Sequence, residues 1–287
     1  MIRIEDLQYV RLGTDDLDRA VAFATGTLGL EVAARDNGRA YLRGDDRDHD
    51  ICYFDGDPAD HTVGLKIATR KELEDAAATL GQAGLAVERG TDAECEARRV
   101  MELVRFRDPT GNKIELVWRP HVATRRCFLS RDAGITAFNH IGLRTSDAPR
   151  DERFWSTLFN FRANDWIGTA GLISFDSIHH RFALFPSDHP GVQHINFQVA
   201  SLDDVMRSYY FLTDRQVKIV FGPGRHYAST ACFLYFEGPN GMVYEYSWGL
   251  MSIDHTWRPR QIPFEDGGFC VWGARPDVPE FMSSETE

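Results

Sequence analysis

The chain is expected to be an α+β protein of two domains, each built from two β-α-β-β-β modules that together form one curled mixed sheet. Three observations lead there. One strand-to-helix segment occurs twice, a second such segment occurs twice again, and a turn motif between two strands closes both series. A length of 287 residues also suits two compact domains, each long enough to bury its own core.

The first pair sets LQYVRLGTDDLDRAVAFATGTLGLEV, from Leu7, beside FNHIGLRTSDAPRDERFWSTLFNFRA, from Phe138. Each opens with alternating apolar residues, the pattern of a half-buried strand, then reaches a Thr-x-Asp helix start and continues at helical spacing. Leu-Gly closes the helix in the first and Phe-Asn in the second. The second pair sets TVGLKIATRKELEDA, from Thr62, beside HINFQVASLDDVMRS, from His194, and again a strand runs into a Thr- or Ser-capped helix. The third sets FRDPTGNKIELVW, from Phe106, beside FEGPNGMVYEYSW, from Phe236, where Pro-Thr-Gly and Pro-Asn-Gly signal hairpin turns.

These modules pair into an N-terminal domain over residues 1–131 and a C-terminal domain over residues 132–287. The first repeat ends near Thr124, and the basic stretch RRCFLSR leads to the second near Asp132. After Trp248 the tail carries Pro259, Pro263, Gly267 and Gly268 and is expected to be irregular, folding back over one face.

Hydrophobic residues at 43% and charged residues at 26% are ordinary for a soluble globular chain. No apolar run of about 20 residues suggests a membrane span, and MIRIEDLQYV lacks the apolar run of a secretory signal. The five cysteines are odd in number and without CxxC spacing, so neither a disulfide framework nor a zinc ribbon is expected, and a cytoplasmic location fits. A formal net charge of -11 disfavours a nucleic-acid partner, whose affinity comes largely from Lys and Arg on phosphates. A small uncharged or modestly charged ligand is the expected partner.

The repeat serves as its own control. His140, His194 and Glu245 in the second copy align with Tyr9, Thr62 and Glu115 in the first. A lone strand histidine is more often a satisfied structural residue than a ligand, yet both histidines occur in one copy only. Strand alternation turns all three inward, and three strands of one curled sheet bring them around a point. Two imidazoles and a carboxylate leave open coordination positions, which suits non-haem Fe(II) activating oxygen; Mn(II) accepts the same ligands and zinc is less favoured. Glu115 is the caution, because the first copy keeps a glutamate without histidines.

Residues 224–245, GRHYASTACFLYFEGPNGMVYE, carry a histidine, an aromatic-Tyr strand, Pro-x-Gly and a glutamate, with His226, Tyr235 and Glu245 at set spacings. SIHHRFALFPSDHPGVQHINFQV places a histidine pair before His194, and HIGL begins at His140. On these segments the chain resembles the type I extradiol ring-cleaving dioxygenases of the vicinal oxygen chelate superfamily, which share a glyoxalase-like fold, particularly the 2,3-dihydroxybiphenyl and catechol 2,3-dioxygenases. The resemblance implies that His140, His194 and Glu245 hold Fe(II) or Mn(II), that His180 is the acid/base residue, and that His226 and Tyr235 hydrogen-bond substrate oxygens. It implies O2 as co-substrate, a catechol chelating the metal, and meta cleavage to a muconic semialdehyde-type product in aromatic catabolism. It also implies a homo-oligomer. Gly238, Ala228 and Ser229 depart from the signature and bear on substrate identity.

An unperturbed pKa near 6.5 suits His180 to accept and donate a proton near neutrality. Strand alternation would turn the adjacent His179 to the opposite face, as a bystander. His189 and His255 fall in loop or tail with no role assigned. Trp257 and Phe269 cover the pocket or pack on the sheet, and Phe175, Ile178 and Phe185 serve core or pocket. Two other readings remain at this stage: a different metal-dependent enzyme on the same scaffold, such as an isomerase or epimerase, and a non-catalytic ligand-sequestering protein.

Overall fold

The computed structural model describes residues 1–36, 38–277 and 281. The first module runs β1 (Asp6–Thr14), α1 (Leu17–Gly26), β2 (Glu31–Asp36), β3 (Arg39–Arg43) and β4 (Ile51–Asp55). The second runs β5 (His61–Ile67), α2 (Arg70–Gln82), β6 (Glu88–Arg89), α3 (Asp92–Glu96), β7 (Val100–Arg107) and β8 (Lys113–Pro120). The third runs β9 (Ile135–Thr145), α4 (Ala148–Leu158), β10 (Arg162–Ile167), β11 (Ala170–Ser174) and β12 (Phe182–Pro186). The fourth runs β13 (Val192–Val199), α5 (Leu202–Asp214), β14 (Ile219–Arg225), β15 (Cys232–Glu237) and β16 (Val243–Trp248). The tail adds β17 (Arg260–Ile262), α6 (Asp266–Phe269) and β18 (Trp272–Gly273).

The expected helix starts are capped as their sequence dictates. Asp16 accepts from Arg19 N, Asp147 from Arg150 N and Ser201 from Asp204 N, while Thr69 and Glu72 form a reciprocal capping box. The second module departs from the simple pattern: β6 is only two residues long and the extra helix α3 precedes β7.

Within each module the last strand returns parallel to the first, β4 beside β1, β8 beside β5, β12 beside β9 and β16 beside β13. Paired modules join through their first strands, antiparallel, as β1–β5 and β9–β13. The first sheet therefore holds eight strands and the second ten, the extra pair coming from the tail. β17 adds to β10 and β18 to β14, so the tail covers both edges of the second sheet, where unpaired backbone groups would otherwise invite other chains. Among the described residues no helix is long and apolar enough to cross a membrane.

Buried aromatics run across the two halves. Phe106 packs on Trp155 and Phe159, and Phe23 on Tyr244. The hydroxyls of Tyr53 and Tyr244 are hydrogen-bonded, and Tyr246 OH donates to Leu28 O at 2.7 Å. The halves share one continuous core rather than closing two separate ones.

His61 is a polar element of this junction. Its Nε2–H donates to Pro58 O at 2.9 Å, and its Nδ1 accepts from Val192 N at 3.1 Å. Burial lowers its pKa to about 4, so between that value and the unfolded value near 6.5 the unfolded chain binds the extra proton. Stability from the uncharged ring is therefore present above pH 6.5 and lost as pH falls towards 4. Urea titrations at pH 7 and about pH 5 should show a loss on the order of 2 kcal/mol from this group. The loss should shrink in His61→Gln, and an unchanged slope in the variant would contradict the assignment.

Candidate metal centre

Register assembles the centre. Asn196 on β13 lies opposite His140 on β9 and beside Glu245 on β16, and Glu245 lies opposite Tyr235 on β15. These positions form one row across four neighbouring strands. His194 stands two residues before Asn196, on the same face, where irregular register in β13 bends the strand. A side chain at Gly142, opposite His194, would overlap the imidazole ring, so this position requires glycine.

The curl of the sheet brings a ligand atom from each of His140, His194 and Glu245 within 4.8 Å of one another. Nε2 of His140 lies 3.0 Å and Nε2 of His194 3.5 Å from Glu245 Oε2, and all three residues are at most 2% exposed. Nδ1 of His194 is engaged by the side-chain oxygen of Gln193, which directs Nε2 to the centre. Despite these close approaches, among the described residues Nε2 of both histidines and both oxygens of Glu245 have no hydrogen-bond partner of proper geometry. Buried polar atoms left this way are costly, and a divalent cation between them would satisfy one nitrogen of each ring and the carboxylate together.

The charge states fit that purpose. Burial lowers the pKa of His140 and takes that of His194 to about 3, so both rings keep their lone pairs at neutral pH. Burial acts to raise Glu245, but His140, His226 and His194 outweigh it and hold the carboxyl well below the usual range. Two uncharged imidazoles and one carboxylate form a donor set suited to a divalent ion with open positions.

His180, 6% exposed, lies with its ring 4.3 Å from that of His140. Burial, reinforced by the surrounding histidines, lowers its pKa well below the ordinary value. Behind it runs a buried chain of hydrogen bonds: His180 Nδ1 to His179 Nδ1 at 3.1 Å, then His179 Nε2 to Asp165 Oδ2 at 2.8 Å. Burial raises Asp165, but its bonds to His179 and Arg260 prevail and keep it ionised. An acceptor at Asp165 puts the His179 proton on Nε2, so His179 Nδ1 accepts from His180 Nδ1–H. The lone pair of His180 is thereby left on Nε2.

The expectation for His179 is thus corrected: it is fully buried and bonded to His180, not turned away. The pair precedes β12 in irregular backbone, where strand alternation does not apply.

On the other side, Tyr235 OH and His226 Nε2 are 3.1 Å apart, and His226 Nε2 is 3.6 Å from Glu245 Oε1. His226 Nδ1–H donates to Phe269 O at 2.9 Å, so Nε2 is the acceptor and the Tyr235 hydroxyl the donor. Burial, followed by Glu245, raises the Tyr235 pKa far enough to keep it a neutral phenol.

All six expected site residues therefore converge. Phe269 and Phe185 line the cavity beside them, while Trp257 donates to Asn164 O and packs edge-on against His179. Phe175 packs on Phe161 in the core, Ile178 makes a bridge with Ser252, and His189 and His255 are exposed and outside the cavity lining. Asp165, Arg260 and Phe281 were not singled out from sequence; only Asp165, an acid inside the strand RANDWI, left a readable sign. The lining also includes Ile167, Leu172 and Ala183, and among the described residues it contains no Lys or Arg. With Phe281 inserted, the space is about 30 Å³, room for about one water molecule.

The aligned site in the first half explains Glu115. Its carboxylate accepts from Tyr9 OH at 2.7 Å and from Arg98 Nη2 at 2.8 Å. A guanidinium and a phenol there satisfy the glutamate without a metal.

A family profile described as the Glyoxalase/Bleomycin resistance protein/Dioxygenase superfamily matches residues 6–116 and 137–246. The chain is 28% identical over 268 residues to a 1,2-dihydroxynaphthalene dioxygenase of Sphingobium xenophagum, covering 87% of this chain and 90% of that one. It is 27% identical to an iron-dependent extradiol dioxygenase of Rhodococcus jostii, covering 94% and 96%. Among solved structures, a Mn(II)-bound glyoxalase from Novosphingobium aromaticivorans is 25% identical, with a TM-score of 0.87 over 99% of this chain and 95% of that one. A halotolerant catechol dioxygenase superposes with a TM-score of 0.88 at 23% identity, over 98% of each chain, a likeness of fold.

Proposed function

Since the chain belongs to the glyoxalase/bleomycin resistance protein/dioxygenase superfamily, we propose that it is an extradiol dioxygenase, opening a catechol ring beside its two hydroxyls. Both atoms of O2 enter the product, a muconic semialdehyde-type acid, in aromatic catabolism. The observation that carries this reading is the buried trio His140, His194 and Glu245, with unpartnered ligand atoms facing one point beside His180.

His140, His194 and Glu245 would hold Fe(II), with Mn(II) fitting the same donors, and the bound ion would supply the Lewis-acid and redox chemistry that brings the catechol and O2 to reaction. His180 Nε2 accepts a proton from a substrate hydroxyl and returns it as the ring opens. Asp165 and His179 hold that imidazole in the working tautomer. Beside Glu245, the Tyr235 hydroxyl can turn from His226 to donate to a substrate oxygen, and His226 Nε2 is then free to accept from a substrate hydroxyl. Leu172, Phe185 and Phe269 exclude water and pack on the ring, which takes the place held by Phe281.

A lining without Lys or Arg favours catechols with apolar substituents over carboxylated ones. The dihydroxynaphthalene and biphenyl-2,3-diol named for relatives have that character. We take residues 1–131 as a supporting domain and residues 132–287 as the catalytic one, in a cytoplasmic homo-oligomer.

Oxygen uptake with 2,3-dihydroxybiphenyl, 1,2-dihydroxynaphthalene, 3-methylcatechol and 3,4-dihydroxyphenylacetate tests the reading. A yellow product should accompany uptake, with the carboxylated substrate at least about tenfold poorer in kcat/KM. Bound metal with no uptake on any catechol would move an isomerase or epimerase to the front; no bound metal would favour a sequestering protein.

Asp165→Asn tests the relay. The variant should bind metal and substrate as the native protein does, while kcat falls about 10- to 100-fold and its pH profile shifts. A purely structural role for Asp165 would lower stability and leave the pH profile in place.

A further inference from the structure

The first half has a cleft of about 540 Å³ at the position that aligns with the metal centre. Thr62 and Glu115, the counterparts of His194 and Glu245, lie in its wall. Most of its charges are already paired: Arg98 with Glu115 at 2.8 Å, Arg105 with Glu88 at 2.9 Å, and Lys113 with Asp60 at 2.6 Å.

Arg11 is different. It lies on β1 opposite Thr62, lines the cleft, and is only 8% exposed. Its Nε is buried without a hydrogen-bond partner, and no described carboxylate forms an ion pair with its guanidinium. The group lies over the Phe54 ring, 4.7 Å from its centroid, and beside the Cys52 thiol, which burial holds protonated against the pull of Arg11, so neither neighbour supplies a negative charge. A buried cation with no counter-charge is expensive unless a ligand supplies one.

We infer that this cleft is a second binding site, taking a small organic monocarboxylate anchored on Arg11. The planar guanidinium matches a carboxylate through two parallel N–H···O bonds. Leu85, Phe106 and Ile114 provide apolar surface for the body of the ligand. The site lies in the half without the metal centre and does not depend on the reaction proposed above.

Calorimetric titration with benzoate, and with benzamide as the uncharged control, tests this in the metal-loaded protein, Arg11→Met, Arg11→Lys and His194→Ala. Benzoate should bind the native protein and His194→Ala alike, and benzamide should not bind. Arg11→Met should weaken benzoate at least about tenfold, and Arg11→Lys, which keeps the charge but not the fork, should weaken it less. Circular dichroism establishes that each variant is folded, and Arg11→Lys decides the matter if Arg11→Met is not. No benzoate binding to the native protein up to about 10 mM would overturn the inference. So would binding that survives both Arg11 substitutions, or that disappears in His194→Ala.

Discussion

His194→Ala should leave the protein folded, nearly metal-free and unable to consume oxygen with any catechol. The centre is assembled from three strands, and His194 is the ligand on the middle one, between β9 and β16. Its Nδ1 is fixed by Gln193, so its Nε2 is already aimed and little ordering is needed on metal binding. Without it, only His140 and Glu245 remain, too few donors to retain the ion at ordinary concentrations. Metal content should fall below about a tenth of the native value and the turnover rate by more than about 1000-fold. Plasma emission spectrometry and an oxygen electrode measure the two quantities. Full metal content in the variant would remove His194 from the ligand set.

His180→Gln should separate chemistry from metal binding. His180 neighbours His140 but is not among the three converging ligand residues. The variant should therefore hold native amounts of metal and bind catechol with little change. Its kcat should fall by about 10²- to 10⁴-fold, the usual worth of a positioned acid/base group. Glutamine keeps the size and a hydrogen bond to His179 but has no basic nitrogen to accept the substrate proton. A native kcat would assign proton transfer elsewhere; loss of metal would make His180 part of the metal centre itself.

The fold and the centre were legible for a common reason. Duplication preserved strand alternation and helix starts in all four modules, so residues with inward positions could be compared between copies. Tyr9 and Thr62 against His140 and His194 then isolated the two histidines that the scaffold itself does not require. Glu115 was ambiguous because its partner, Arg98, lies outside the aligned segments, and only the folded chain brings guanidinium to carboxylate.

What stayed hidden rests on irregular backbone or distant sequence. His179 was misread because alternation was extended into a segment that is not a strand. Arg260, reaching Asp165 from 95 positions away, and Phe281, meeting His194 and Tyr235 from far along the tail sequence, have no local pattern that signals them. The tail was expected to fold back, and it does so through β17 and β18. Which of its side chains enter the cavity follows from packing alone.

The most direct measurement is Fe(II) reconstitution under anaerobic conditions, with metal per chain determined alongside oxygen consumed per 2,3-dihydroxybiphenyl. The account predicts about one ion per chain and about one O2 per catechol, with turnover removed by a chelator and restored by Fe(II). Ring cleavage by the metal-free protein, or a fully loaded centre that consumes no oxygen with any catechol, would contradict it.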